Sequence, residues 1–117
     1  FTGDIGSSAE AAIMSRASSI SAKILKVPHH GGGSSSSPEF LAAVSPAEAI
    51  ISVGKNPSGY PAEETLDRLI AAGARIWRTD QDGTIVVLSD GASYSINGYS
   101  PLGDHQIFLP IVVEMLH

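Results

Sequence analysis

The chain has 117 residues, of which 43% are hydrophobic and 16% charged, with a formal net charge of −5 and no cysteine. This composition supports one small core and argues against disorder. It excludes disulfides and thiolate metal sites, and the acidic balance speaks against a basic nucleic-acid coat.

Any metal would therefore be held by imidazole and carboxylate, a donor set that suits Zn, Mn or Fe. No apolar run approaches the roughly 18 residues of a membrane-spanning helix. The opening Phe1-Thr2-Gly3-Asp4, without initiator Met or signal segment, reads as cut from something longer. Phe1 and Thr2 read as the end of a strand, and Gly3-Asp4 as the turn after it.

Ser7-Ser8-Ala9-Glu10 fits a capping box, Ser7 capping and Glu10 reaching back. A helix is predicted over 8–17, ended by the serines at 18, 19 and 21. Ile24 to Val27 reads as a buried strand that Pro28 closes. His29-His30-Gly31-Gly32-Gly33 follows, then serines to Ser37, an N-cap before Pro38 at the first position of a helix over 38–44. Ala47 to Val53 is apolar apart from Glu48, the pattern of a strand covered on both faces.

The segment 54–59 is a loop. Pro61 opens the next helix, with Glu63 and Glu64 in its first turn, a stripe of Leu66, Leu69 and Ile70, and Gly73 as its stop. Arg75 to Arg78 is a short strand with Trp77 in the core. Asp82-Gly83 and Asp90-Gly91 read as hairpin turns flanking a strand over 84–88, with 93–96 as its partner. Strand and helix alternate to Gly73 and a β-meander follows, which defines an α/β layered domain over 1–97. Residues 98–117 read as a tail, either an edge strand or a linker.

Asp4 and the pair His29/His30 both follow a strand end through a tight turn. If those strands are parallel neighbours, carboxylate and imidazoles emerge at one sheet edge, where open α/β sheets carry their chemistry. Residue type alone leaves two readings, metal ligands or a turn Asp beside solvated histidines. The glycines at 31–33 suit close approach of backbone to a ligand. Asp80 and Asp82 read as turn residues, and Lys23, Lys26 and Lys55 as a solvated face that would also steer an anionic substrate.

Several blocks together add a further pattern: Phe1-Thr2-Gly3-Asp4, Leu25-Lys26-Val27-Pro28-His29-His30-Gly31, the serines to Phe40-Leu41, Ala49 to Asn56, Gly59-Tyr60-Pro61, and Arg78 to Ile85. In this order the chain resembles the metallo-β-lactamase-like domain of competence proteins of the ComEC/Rec2 type. The resemblance implies the C-terminal half of an αββα sandwich, a mixed sheet with flanking helices and then the meander. It implies a site for two divalent ions, Zn or Mn, with Asp4, His29 and His30 as ligand positions and His30 favoured over His29. Asp4 and His30 would be catalytic, and His29, Gly31, Ser35 and Tyr60 would contact substrate. The chemistry implied is metal-assisted hydrolysis of a phosphodiester, DNA in the competence family, on the extracytoplasmic face of a membrane protein or in a secreted one.

Three departures from the family pattern carry expectations. The upstream His-x-His-x-Asp-His motif is absent, so the chain is expected to need an N-terminal half of the same domain as partner and to be inactive alone. Tyr60 stands where the family commonly has His, and Gly32 where it has Ser, so the loop after the histidines is expected to be more mobile. The alternative is a non-catalytic binding or scaffolding module with a degraded site.

Overall fold

The computed structural model describes residues 1–99 and the backbone of 111–115. Its first sheet is parallel. Ile24–Lys26 (β1) pairs with Glu48–Ile51 (β2), which pairs with Arg75–Arg78 (β3), in the order β1-β2-β3. Between them run the crossover helices Pro38–Val44 (α2) and Glu63–Ala71 (α3), and Ser7–Arg16 (α1) precedes the sheet. A short helical turn, Thr79–Asp82 (α4), leads into a second, antiparallel sheet. It comprises Ile85–Ser89 (β4), Tyr94–Ile96 (β5) and Ile111–Met115 (β6), in the order β5-β4-β6.

Local chemistry fixes the boundaries. Pro28, which has no N–H to donate, stops β1. The Ser37 hydroxyl accepts the Phe40 N–H at 3.2 Å and caps α2. Gly73, at φ +84°, ends α3 and donates to the Ile70 carbonyl. The strand β2 is buried throughout. Alternation sends Ala49 and Ile51 into the core under the helices, with Leu25, Val27, Leu41 and Leu69. Ile50 points the other way and packs with Ile85, Val87, Tyr94 and Ile96 of the second sheet. Helices, parallel sheet and antiparallel sheet thus form three stacked layers.

Glu48 lies between the sheets at 3% exposure. Its Oε1 accepts from Trp77 Nε1 at 3.0 Å and its Oε2 from the Tyr94 hydroxyl at 3.2 Å. A buried carboxylate is tolerated because both oxygens are occupied. Burial, with the Glu48 charge beside it, pushes the Tyr94 phenol up to about 12.

Several expectations need correction. Phe1 and Thr2 are not in a strand, although Thr2 Oγ1 donates to the Lys26 carbonyl at 2.6 Å beside β1. The capping box does not form: Gly6 is the N-cap, and the Glu10 side chain turns away from its own helix. In α3, Ile70 is 64% exposed, and Thr65 takes its place among the buried residues. The Asp82-Gly83 turn is no hairpin, because it carries the chain from the first sheet to the second. Among the described residues the first sheet is parallel throughout, where a mixed sheet was expected. Of the tail, Ile111–Met115 pairs with β4, while 100–110, including His105, and 116–117 lie outside the described residues.

Candidate functional site

The turn Pro28–Gly31 leaves the C-terminal end of β1 with two consecutive residues in the left-handed region, His29 at φ 53° and His30 at φ 54°. For a residue with a Cβ this conformation costs about 1–2 kcal/mol, so the surroundings must hold it. His29 N donates to the Gly3 carbonyl at 2.9 Å, and His29 O accepts from Gly32 N at 2.9 Å. The first of these bonds, with the Thr2 hydroxyl on β1, also delivers Asp4 to the turn.

His30 Nδ1 lies 2.7 Å from the carbonyl of Ser52, just beyond β2. A carbonyl only accepts, so in the neutral ring Nδ1 carries the proton and Nε2 keeps its lone pair. That Nε2 stands 3.9 Å from Asp4 Oδ1, and both side chains are solvent-accessible. The separation is too long for a hydrogen bond. It is close to the roughly 3–4 Å between two ligands of one ion at bond lengths near 2.1 Å. An imidazole fixed by a carbonyl on its far nitrogen is also the usual setting of a metal-ligating His. The pair therefore fits two ligands of a divalent ion. It falls short of a full set: among the described residues no group of three or more His, Cys, Asp or Glu could hold a metal.

His29 points elsewhere. Its ring is half-buried and lies 5.3 Å from the Tyr60 ring, and 6.4 Å from that of His30. Tyr60 itself is set by Asn56, whose side chain accepts from Tyr60 N at 3.0 Å and donates to Tyr60 O at 3.0 Å. Lys26 is half-buried and its ammonium donates to the Val27 carbonyl at 3.1 Å. Burial lowers its pKa, and the Asp4 carboxylate opposes that shift. It therefore belongs to the site's surroundings, unlike the solvated face assigned to it from sequence.

The glycines and serines have a different role from the one expected. A Cβ at Gly31 would lie 2.6 Å from Pro61 Cβ, and one at Gly33 2.6 Å from Glu64 Oε1. The space they leave is filled by the chain itself and not held open for a ligand. Ser35 is 2% exposed and its hydroxyl donates inward, to the Gly32 carbonyl at 3.2 Å. Thr65 Oγ1 donates to the same carbonyl at 3.2 Å. The segment after Gly32 is thus tied by two hydroxyls on the Gly32 carbonyl.

The residues that tie it escaped the sequence reading. Glu10, with 0% exposure, accepts the N–H groups of Ser36 and, at 3.0 Å, of Ser37. Arg68 Nε donates to the Ser36 carbonyl at 2.9 Å, and its Nη2 to those of Ser35 at 3.0 Å and Gly33 at 3.2 Å. In the sequence Glu10 fitted a capping box, which masked this role. The distance in sequence hid the rest. Asp80 and Asp82 are structural as read: Asp80 pairs with Arg78 at 2.7 Å and Asp82 accepts the Arg78 N–H.

No protein-family profile and no solved structure matches the chain. Two curated proteins do. It is 41% identical to ComE operon protein 3 of Bacillus subtilis (strain 168) over 85 residues, which is 72% of this chain and 11% of that protein. It is 35% identical to competence protein ComA of Neisseria gonorrhoeae over 86 residues, 72% of this chain and 12% of that one. Both similarities are to a segment of a larger protein, and the second of these proteins is named for competence. The alignments span only about a tenth of the length of either relative.

Proposed function

We propose that the chain supplies one wall of a metal-dependent phosphodiesterase site of metallo-β-lactamase type, serving DNA uptake on the outer side of a membrane. The observation that carries this is His30: its Nδ1 is committed to the Ser52 carbonyl, and its Nε2 stands 3.9 Å from the Asp4 carboxylate. Asp4 and His30 are the two ligands this wall provides, and a further segment of the parent protein supplies the others. His29, tilted against the Tyr60 ring, contacts substrate instead.

Bound divalent ions would supply Lewis-acid activation of water and neutralise charge on a phosphoryl group. The chain's own residues hold and orient. The Ser52 carbonyl fixes the His30 tautomer, Lys26 adds positive charge beside Asp4, and Tyr60 offers a hydroxyl donor for a phosphate oxygen. No helix among the described residues is long and apolar enough to cross a membrane.

The test is hydrolysis of bis(p-nitrophenyl) phosphate and of single-stranded DNA in Zn²⁺ or Mn²⁺, by this chain extended on its N-terminal side. Turnover that Asp4→Ala abolishes supports the reading. Metal uptake without turnover on either substrate would favour the second reading, a binding or scaffolding module, which the Tyr at position 60 and the two-ligand wall also fit.

A further inference from the structure

We infer that Glu10 and Arg68 are positioning residues for the His29–His30 turn, acting through the six-residue loop 32–37. Its importance to a site rests on the reading above, but the mechanical claim does not. Every carbonyl of this loop has a partner. Gly32 O takes the Thr65 and Ser35 hydroxyls, Ser34 O takes Ser7 N, Ser37 O takes Leu41 N, and Arg68 takes the carbonyls of Gly33, Ser35 and Ser36.

On the donor side, Ser35 N goes to Gly32 O, and the next two amides go to Glu10. The Ser36 peptide is thus bracketed, its N–H on a buried carboxylate and its carbonyl on a guanidinium, with φ 57° between them. Opposite charges grip opposite sides of one backbone run, and hydrogen bonds to charged groups are the strong ones.

The loop is linked in turn to the histidines. Gly32 N donates to His29 O at 2.9 Å, and Ser35 Oγ reaches the Pro28 carbonyl at 3.5 Å. Two adjacent left-handed non-glycine residues persist only where neighbouring structure over-determines them. The turn has the Gly3 and Ser52 contacts on one side and the Ala62 N–H on the Gly31 carbonyl at 2.9 Å, and this loop adds the ties at Pro28 and His29. Glu10 lies 26 residues from Ser36, and Arg68 32 residues, so neither influence is local in sequence.

The experiment is NMR on the metal-free 117-residue chain, comparing wild type with Glu10→Gln, Arg68→Lys and the core control Val44→Ala. Glu10→Gln keeps the size but turns one acceptor into a donor, and Arg68→Lys keeps the charge but loses the planar fork. In Glu10→Gln the Ser36 and Ser37 amides are expected to exchange at least about tenfold faster, the loss of one charge-assisted bond. The His29 and His30 Cα shifts should move from left-handed toward extended values, while Val44→Ala leaves both sets in place. Should Glu10→Gln fail to fold, Arg68→Lys carries the same comparison from the other side. Loosened loop amides with unmoved His29 and His30 shifts would overturn the inference, as would equal movement in the control. If the histidines respond while the extended protein takes up no metal, the hydrolase reading fails and this one stands.

Discussion

His30 shows how one side chain acquires a role from a distant carbonyl. The histidine pair and its glycines were legible in the sequence, because the residue types are rare together and follow a strand. The assignment of proton and lone pair was not, since Ser52 lies on the next strand connection and only parallel pairing of β1 with β2 brings it over. Gly31 was legible as a glycine that must be one, though for another reason: at φ +80° it packs on Pro61 and not on a ligand. Gly31→Ala combines left-handed strain with a Cβ 2.6 Å from Pro61 Cβ, and is expected to cost about 2–4 kcal/mol. Urea denaturation of the variant would check it; a loss under about 0.5 kcal/mol would mean that the loops separate freely.

At the scale of elements, what the sequence concealed was how they are fastened. Helix α1 has Glu10 as its one buried residue and only Met14 packed on the core, so it is anchored through a carboxylate more than an apolar stripe. A periodicity search has nothing to find there. The join between the end of β2 and the start of α4 is similar. Thr79 Oγ1 accepts from Val53 N and donates to Val53 O, both at 2.8 Å, in full burial. Thr79→Val keeps the shape and removes both bonds, leaving a buried N–H and a buried carbonyl unpaired. A loss of about 2–4 kcal/mol is expected; thermal unfolding within a degree of wild type would show that other groups or water take over. By contrast, α2 and α3 lay within a residue or two of their predicted spans, because Ser37-Pro38 and Gly73 act locally.

At the scale of the molecule, the doubly buried run around Ile50 was readable in its own residues, whereas a second sheet facing the first was expected only from the resemblance, because it depends on where β4 packs. Tyr94 and Glu48 join those sheets. The folded-state pKa of Tyr94, raised from 10.0 to about 12, means that its contribution is fully present below pH 10. It is lost as pH rises through about 12, so stability should fall across that interval, and Tyr94→Phe should flatten the fall. The candidate site was half legible for a plain reason: on the proposed reading this chain would supply two of its ligands, Asp4 and His30, and the others would come from elsewhere in a protein, the relatives' alignments covering about a tenth of their length. The central claim is that Asp4 and His30 form one wall of a metal site. Its most direct test is metal content, by elemental analysis after dialysis, of the chain extended on its N-terminal side. Near two Zn²⁺ or Mn²⁺ per chain is predicted, with Asp4→Ala and His30→Ala each removing at least one and His29→Ala removing none; content unchanged in both Asp4→Ala and His30→Ala would contradict it.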